Sequence, residues 1–487
     1  MRHLRKILFY SFVLLYLILC PLIIMYAFGY ILRPGAENGI VKTGLIHLAT
    51  TPPGATIYVD NKRYTQKTPA TIKEMLPGDY EVKVFLNKYQ VWQDVLNVQE
   101  NIATVLDKIL LAPNEWKKME LSRERFEDLI PVAGGTFFIL TNGSLVSDYF
   151  SYNWKKDKLS PLFPDSFLFR SAKVLSYFMV EDSPAVIFYI DSSEGKRFIW
   201  LEQRGDEILI KDITNLFPLE PLQVKWDFSE YVDSIFSLQN GYINRLDIIS
   251  GAMYPKYLES IRAFGVFNKK IYIIKDLYTL MRMDYDKKGL EILLSDPILG
   301  KFLFGTKGLF QIKPLSENIL IFLGEKGELR SNCRPYRFVD RGVLGIEFHR
   351  ASKRLALWQK SMFGVLDFSP TESQEIDVKK EPRGTWLYKN GKNITQAFWA
   401  QDGAYLLARD ANEVLLFDLL KRKVSAPISV VSVRKDTSVY FSDVSGKLYY
   451  IDKDTTKLYA CEIIPKNQGL FFSLPGRSKQ VKELENK

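Results

Sequence analysis

Residues 393–424 read NITQAFWAQDGAYLLARDANEVLLFDLLKRKV. Three strand-length apolar runs stand in it: Ile394-Thr395-Gln396-Ala397-Phe398-Trp399, Ala404-Tyr405-Leu406-Leu407-Ala408, and Glu413-Val414-Leu415-Leu416-Phe417. Between the first two lies Gln401-Asp402-Gly403, and Asp-Gly between apolar runs is a strong hairpin signal because glycine accepts positive φ without penalty. The runs are short, turn-bounded and without helical period, so the stretch predicts antiparallel strands joined by tight turns.

Working outward, the pattern recurs. Ser438-Val439-Tyr440-Phe441-Ser442-Asp443, a turn at Ser445-Gly446 and Lys447-Leu448-Tyr449-Tyr450-Ile451-Asp452 repeat it closely, while 346–368 and 271–284 fit more loosely. Units begin near Leu129, Lys173, Val232, Ile261, Gly308, Val343, Asn393 and Ile428, a spacing near the roughly 40–50 residues of a propeller blade. The 393–424 unit resembles a WD40-like blade of the Pro-Asp-Gly subgroup, departing from it at Gln401, where the subgroup has Pro. Closing a ring removes exposed sheet edges, so residues 113–464 are expected to form a β-propeller of seven or eight blades.

Upstream, Gly44-Leu45-Ile46-His47-Leu48-Ala49-Thr50 alternates as a strand does, and a turn follows at Pro52-Pro53-Gly54-Ala55. Further strands are expected at 56–60, from Thr68-Pro69-Ala70-Thr71-Ile72, at 80–85, 90–98 and 102–111, with turns at Asp60-Asn61-Lys62 and Leu76-Pro77-Gly78-Asp79. Turn–strand–Asp, then Thr-Pro, then Leu-Pro-Gly-x-Tyr-x-Val-x-Val resembles the PEGA domain, named for its Pro-Glu-Gly-Ala turn. Pro53 stands here at the eponymous Glu. The resemblance covers 44–111, within a domain expected at 44–112, and implies a small β-sandwich-like module on envelope-exposed proteins, with no catalytic residue.

Ahead of this module, after a linker at 33–43, residues 7–32 (ILFYSFVLLYLILCPLIIMYAFGYIL) contain no Asp, Glu, Lys or Arg. A bilayer core needs roughly 20 apolar residues, so the run is expected to be a transmembrane helix, kinked at Pro21, that binds the lipid bilayer. Arg2, Arg5 and Lys6 crowd the stub 1–6, and short basic flanks stay cytoplasmic; the N-terminus is therefore expected inside and the remaining domains extracytoplasmic. Tyr10 and Tyr30 fall where interfacial aromatics would sit. A cleaved signal peptide is the alternative, but its apolar region is about half this long and ends in small residues. A lipoprotein box at Leu17-Ile18-Leu19-Cys20 lacks the small residue before the cysteine.

Charge narrows the partners. The net +10 sits mainly at the ends: 1–41 and 465–487 carry +3 each, while 113–464 hold 49 basic against 46 acidic side chains. Without a concentrated basic patch a nucleic-acid partner is not expected. The polar, basic tail 465–487 is expected to be disordered at least from Ser478. Cys333 and Cys461 are the two cysteines outside the membrane run, and both one disulfide and two independent buried thiols fit that spacing.

Residues for chemistry are sparse. Beyond His3, only His47 and His349 occur, too few for a His-based zinc site, and no Gly-x-Ser-x-Gly elbow offers a nucleophile. Residues 300–307 have the lysine and threonine of a phosphate loop in the wrong order, and Asp452-Lys453-Asp454 lacks the glycine and terminal Glu of a calcium loop. Asn142 and Asn393 head glycosylation sequons. No cofactor, metal or catalytic residue is assigned. The 66 aromatic side chains include Trp386, Tyr388 and Trp399; with His349 these are the candidate ligand residues, weighed as a glycan platform against packing between blades. The expectation is a non-enzymatic single-pass envelope protein displaying a propeller that binds proteins or anionic wall polymers. The alternative is an extracytoplasmic hydrolase or lyase using carboxylates near the central channel.

Overall fold

The computed structural model describes residues 2–27, 30–32, 40–180, 183–217, 220–226, 232, 234–275, 279–295, 310–332, 339–368, 385–422 and 426–465. Two compact units separate: 1–115 with the C-terminal residues from 463, and 116–462. The phosphate-loop-like 300–307, Cys333 and the tail from 466 lie outside the described residues.

In the first unit a helix spans Arg2–Ala27 and contains Pro21. Its stretch Leu8–Met25 is long and apolar enough to cross a membrane, and none of it is packed against protein. The helix starts earlier and ends sooner than the predicted 7–32. Tyr30–Leu32 form a strand instead, paired antiparallel with Ile40–Lys42 inside the predicted linker. An unbroken apolar run carries no period to mark its end, and Gly29 in the sequence is the kind of residue at which helices stop.

Two sheets follow. Gly44–Thr51 lies between Ala70–Met75, antiparallel, and Ala103–Leu110, parallel. The second sheet runs Lys62–Lys67, Thr56–Val59, Gly78–Phe85, Trp92–Val98. Alternation works as read: Ile46, Leu48, Ile57, Val82, Val84 and Ile109 are all fully buried. The 52–55 turn is tied to the Thr-Pro motif, since Gly54 N–H donates to the Thr68 carbonyl at 2.7 Å and Ala55 N–H to Thr68 Oγ1 at 2.9 Å. At φ +87° Gly54 occupies backbone space that other residues resist. The signature residues of this module are therefore architectural.

The second unit holds eight sheets among the described residues, seven of four strands and one, at 310–331, of three. We number them as blades 1–8, at 128–161, 173–212, 223–258, 263–295, 310–331, 345–388, 394–432 and 440–462. Each is an antiparallel meander whose first strand is the inner one. Second strands are buried on both sides over most of their length, as in Ala185–Ser192, Ser234–Gln239 and Tyr405–Asp410, because blades stack on both faces. Outer strands such as Glu207–Asp212 alternate between exposed and half-buried.

Two predicted starts were displaced. Val232 precedes the second strand of blade 3, whose inner strand is the short Gln223–Trp226. Ile428–Ser432 is the outer strand of blade 7 and pairs with Glu413–Asp418. In each case the sequence between adjacent strands gave no signal of which blade a strand joins.

Blade 8 is completed from the other end of the unit. Lys118–Arg125 pairs antiparallel with Lys457–Glu462 as the fourth strand. A cluster containing Phe138, Leu140 and Tyr152 of blade 1 with Tyr440, Tyr449 and Leu458 of blade 8 packs the first sheet on the last. Similar clusters link successive blades from 1 to 7. Between blades 7 and 8, Val439 N–H donates to Gln396 Oε1 at 2.9 Å and Gln401 N–H to Asp443 Oδ1 at 2.9 Å. Packing thus runs round the ring.

Candidate functional site

Inner strands pair on one side with their blade and present the other to the centre of the ring. Alternate side chains of each inner strand point toward the two neighbouring blades. In Gln223–Trp226, Val224 and Trp226 are buried between blades while Lys225 is half-buried. In blade 5, Ile312 is buried and flanked by Gln311 and Lys313; in blade 6, Ile346 is buried beside Glu347. In blade 7, Ala397 is buried between Gln396 and Phe398. Residues of both parities, Val224, Trp226, Ile312, Ile346 and Ala397 as well as Lys225, Lys313 and Glu347, line one cavity of about 460 Å³, walled by the inner strands of blades 2 to 7. Volumes of this order hold small ligands or short chain segments.

The polar groups in that wall are Lys225, Lys313, Arg350, Glu347, Gln311 and Gln396. Apolar ones include Val180, Val266, Leu344, Phe348 and Phe398. The Arg350 guanidinium lies 5.3 Å from the Phe267 ring centroid, a cation–π contact that helps hold it. Blades 4 and 5 come close at Gly265, where a Cβ would stand 2.7 Å from the Ile312 carbonyl oxygen and 2.9 Å from Pro314 Cδ. Only glycine lets these two inner strands approach so nearly.

At the blade 7–8–1 junction, Asp128 accepts N–H groups from Leu129 at 2.8 Å and Ser438 at 3.1 Å. Burial nevertheless pushes its carboxyl above the ordinary range. Burial likewise lowers the Arg409 guanidinium, which donates to Thr395 Oγ1 at 2.8 Å and to the Arg434 carbonyl at 3.3 Å. These contacts join blades and are structural. Among the described residues no group of three or more His, Cys, Asp or Glu is arranged to hold a metal.

The four residues singled out from sequence do not share one face. His349 and Trp399 meet, their rings 5.5 Å apart. Trp399 is 8% exposed and donates its Nε1–H to the Glu347 carbonyl at 3.0 Å. His349 Nδ1 shares a hydrogen bond with Ser352 Oγ at 2.8 Å, three residues on in the same hairpin turn. Trp386 packs into the core between blades 5 and 6, whereas Tyr388 packs between blades 6 and 7, its ring 5.5 Å from Phe417. Sequence reasoning missed Lys225, Lys313, Glu347 and Arg350. Their signal was a polar residue alternating with buried apolar ones, which reads the same on a solvent face as on a lumen.

Residues 43–111 match the PEGA domain family. Among solved structures the chain is similar to the β-propeller domain of Cps50 (Swd1) from Myceliophteria thermophila, at 8% identity and a TM-score of 0.35, over 60% of this chain and 99% of that one. It is also similar to the Dos1 propeller, at 13% identity and a TM-score of 0.44, over 72% of this chain and 95% of that one. No curated protein matches the chain.

Proposed function

We propose that this chain, a PEGA module and a propeller behind one apolar helix, is a non-enzymatic envelope protein. The helix crosses the cytoplasmic membrane with its N-terminus inside, and the propeller stands outside as a binding platform for proteins or wall polymers. The observation carrying this reading is the Leu8–Met25 helix, apolar throughout with no protein packed on it. Left in water it would expose a continuous hydrophobic surface, which a bilayer removes. Arg2, Arg5 and Lys6 before it favour the inside orientation.

The cavity gives such a platform a concave wall, with Lys225, Lys313, Arg350 and Glu347 set among apolar side chains such as Val266 and Phe348.

A phosphatase and a fluorescent protein fused in turn after Lys487 test the topology. Phosphatase activity with a dark fluorescent fusion, retained in alkali-washed membranes, is the expected result. A bright cytosolic fusion, or a mature protein that begins past Gly29 and floats free, overturns it.

A further inference from the structure

We propose that the end of the PEGA module at which Gly44–Thr51 begins rests on the bilayer, with Ile102 and Val105 entering the lipid interface. This adds a docking surface to the membrane reading above and rests on that reading. The chain itself brings that end down. The helix ends at Ala27, and the strand Tyr30–Leu32 starts three residues later. Its antiparallel register sets Tyr30 opposite Lys42, so the exit of the pair lies about 5 Å from its entry, one ladder spacing away. Gly44 is two residues further on. Fully extended, residues 28–43 could reach roughly 55 Å from the helix. Paired in this register they hold Gly44 within about 20–25 Å of it.

The surface brought down in this way is apolar. Asn101 N–H donates to the Thr43 carbonyl at 3.1 Å and Leu45 N–H to the Ile102 carbonyl at 3.4 Å, which ties the 101–102 turn to the start of the first module strand. Ile102 is 51% exposed and Val105 52%. Register sets Ala103 opposite Leu45 and Val105 opposite His47, so these four share the outer face of their sheet. A lipid interface takes such side chains out of water. It does so with little further loss of freedom, because the helix already holds the module beside it. Glu100 and Lys73, of opposite sign, are both exposed near this end, so the attraction is hydrophobic and needs no anionic lipid.

The test uses the full chain in nanodiscs of zwitterionic phospholipid, with Ile102, Val105 or Ile249 replaced in turn by the photo-crosslinker p-benzoylphenylalanine. Ile249 is a 70% exposed turn residue of blade 3 and serves as the reference. After irradiation, mass spectrometry should find phospholipid adducts at 102 and 105 at least about tenfold above those at 249. Added salt should leave the yield unchanged, as an apolar contact requires. Should the replacement at 102 unfold the module, the one at 105 carries the test. Adducts at 102 and 105 no more frequent than at 249, or crosslinks to a second copy of the chain in place of lipid, overturn the docking. If the chain still stays in alkali-washed membranes, the platform reading survives that result. Lipid adducts at both positions together with a bright cytosolic fusion after Lys487 do the reverse: the platform falls, and the docking stands on the inner leaflet.

Discussion

In blade 7 the four strands follow one another from Ile394 to Ser432, and every ladder joins neighbours in the chain. Blade 8 has three such strands and takes its fourth, Lys118–Arg125, from the opposite end of the unit. The two sheets look alike in section, with Leu406 and Leu458 each fully buried between blades. Their difference lies in what must be present before they form. Blade 7 is specified by local turns; blade 8 exists only when both ends of the ring have arrived.

Reactivity of Cys461 should report this most sharply. It is a buried free thiol opposite Lys118 in the closing ladder, and burial pushes it up to about 12. Only the thiolate attacks, so native alkylation at pH 8 should be slower than that of an exposed cysteine by about a thousandfold. Deleting 116–125 should restore most of that rate. A fast Cys461 in the intact chain would break the comparison.

Core truncation comes next. Leu406→Ala and Leu458→Ala should each cost about 3 kcal/mol in chemical denaturation. Hydrogen exchange should then separate them: Leu406→Ala should loosen blades 6 and 7, and Leu458→Ala blades 8 and 1. Identical exchange patterns would show that closure gives blade 8 no distinct role.

Gly403→Ala probes the local turn of blade 7. Gly403 has φ +80°, and an added Cβ would stand 2.8 Å from His349 Nδ1. A loss of about 1–2 kcal/mol is expected, with blade 8 exchange unchanged.

The smallest effect is at Glu120, whose carboxylate accepts hydrogen bonds from Lys457 Nζ at 2.8 Å and Tyr459 Oη at 3.0 Å. The Lys457 bond, then the Tyr459 bond, hold it below the usual carboxylate range. A lowered folded-state value means stability that is present above the unfolded value, about pH 4.5, and lost as pH falls through the folded one. Glu120→Gln should flatten the acid side of the melting-temperature profile slightly, and a steeper acid side in the variant would contradict the assignment.

Most of the architecture was legible in the sequence where local chemistry decides it. Asp402-Gly403 marks its hairpin, Asp60 and Asn61 take the positive φ their turn needs, and the Gly44–Thr51 alternation buries Ile46 and Leu48 as expected. Long-range pairings were not legible. Nothing in Lys118–Arg125, with its exposed charged side chains, announces a partner more than three hundred residues away. The strand Lys62–Lys67 was missed too, because its exposed polar residues lack an apolar alternation. The site was the least visible part. Trp386, Tyr388 and Trp399 drew attention by size, yet size in a propeller mostly fills the space between blades. Lys225, Lys313 and Arg350 became a group only once the ring had brought blades 3, 5 and 6 around one lumen.

The composite blade also fixes a waiting time during synthesis. Glu120 precedes Lys457 by 337 residues, which at about 5–20 residues per second is roughly 17–70 s of elongation. Throughout that interval Lys118–Arg125 is made but has nothing to pair with, an open edge of the kind that invites aggregation. Its exposed Lys118, Arg123, Glu124 and Arg125 are the charges that keep such an edge soluble. Nascent chains stalled before Lys457 should therefore be cut by protease within 118–125, and finished ones should not.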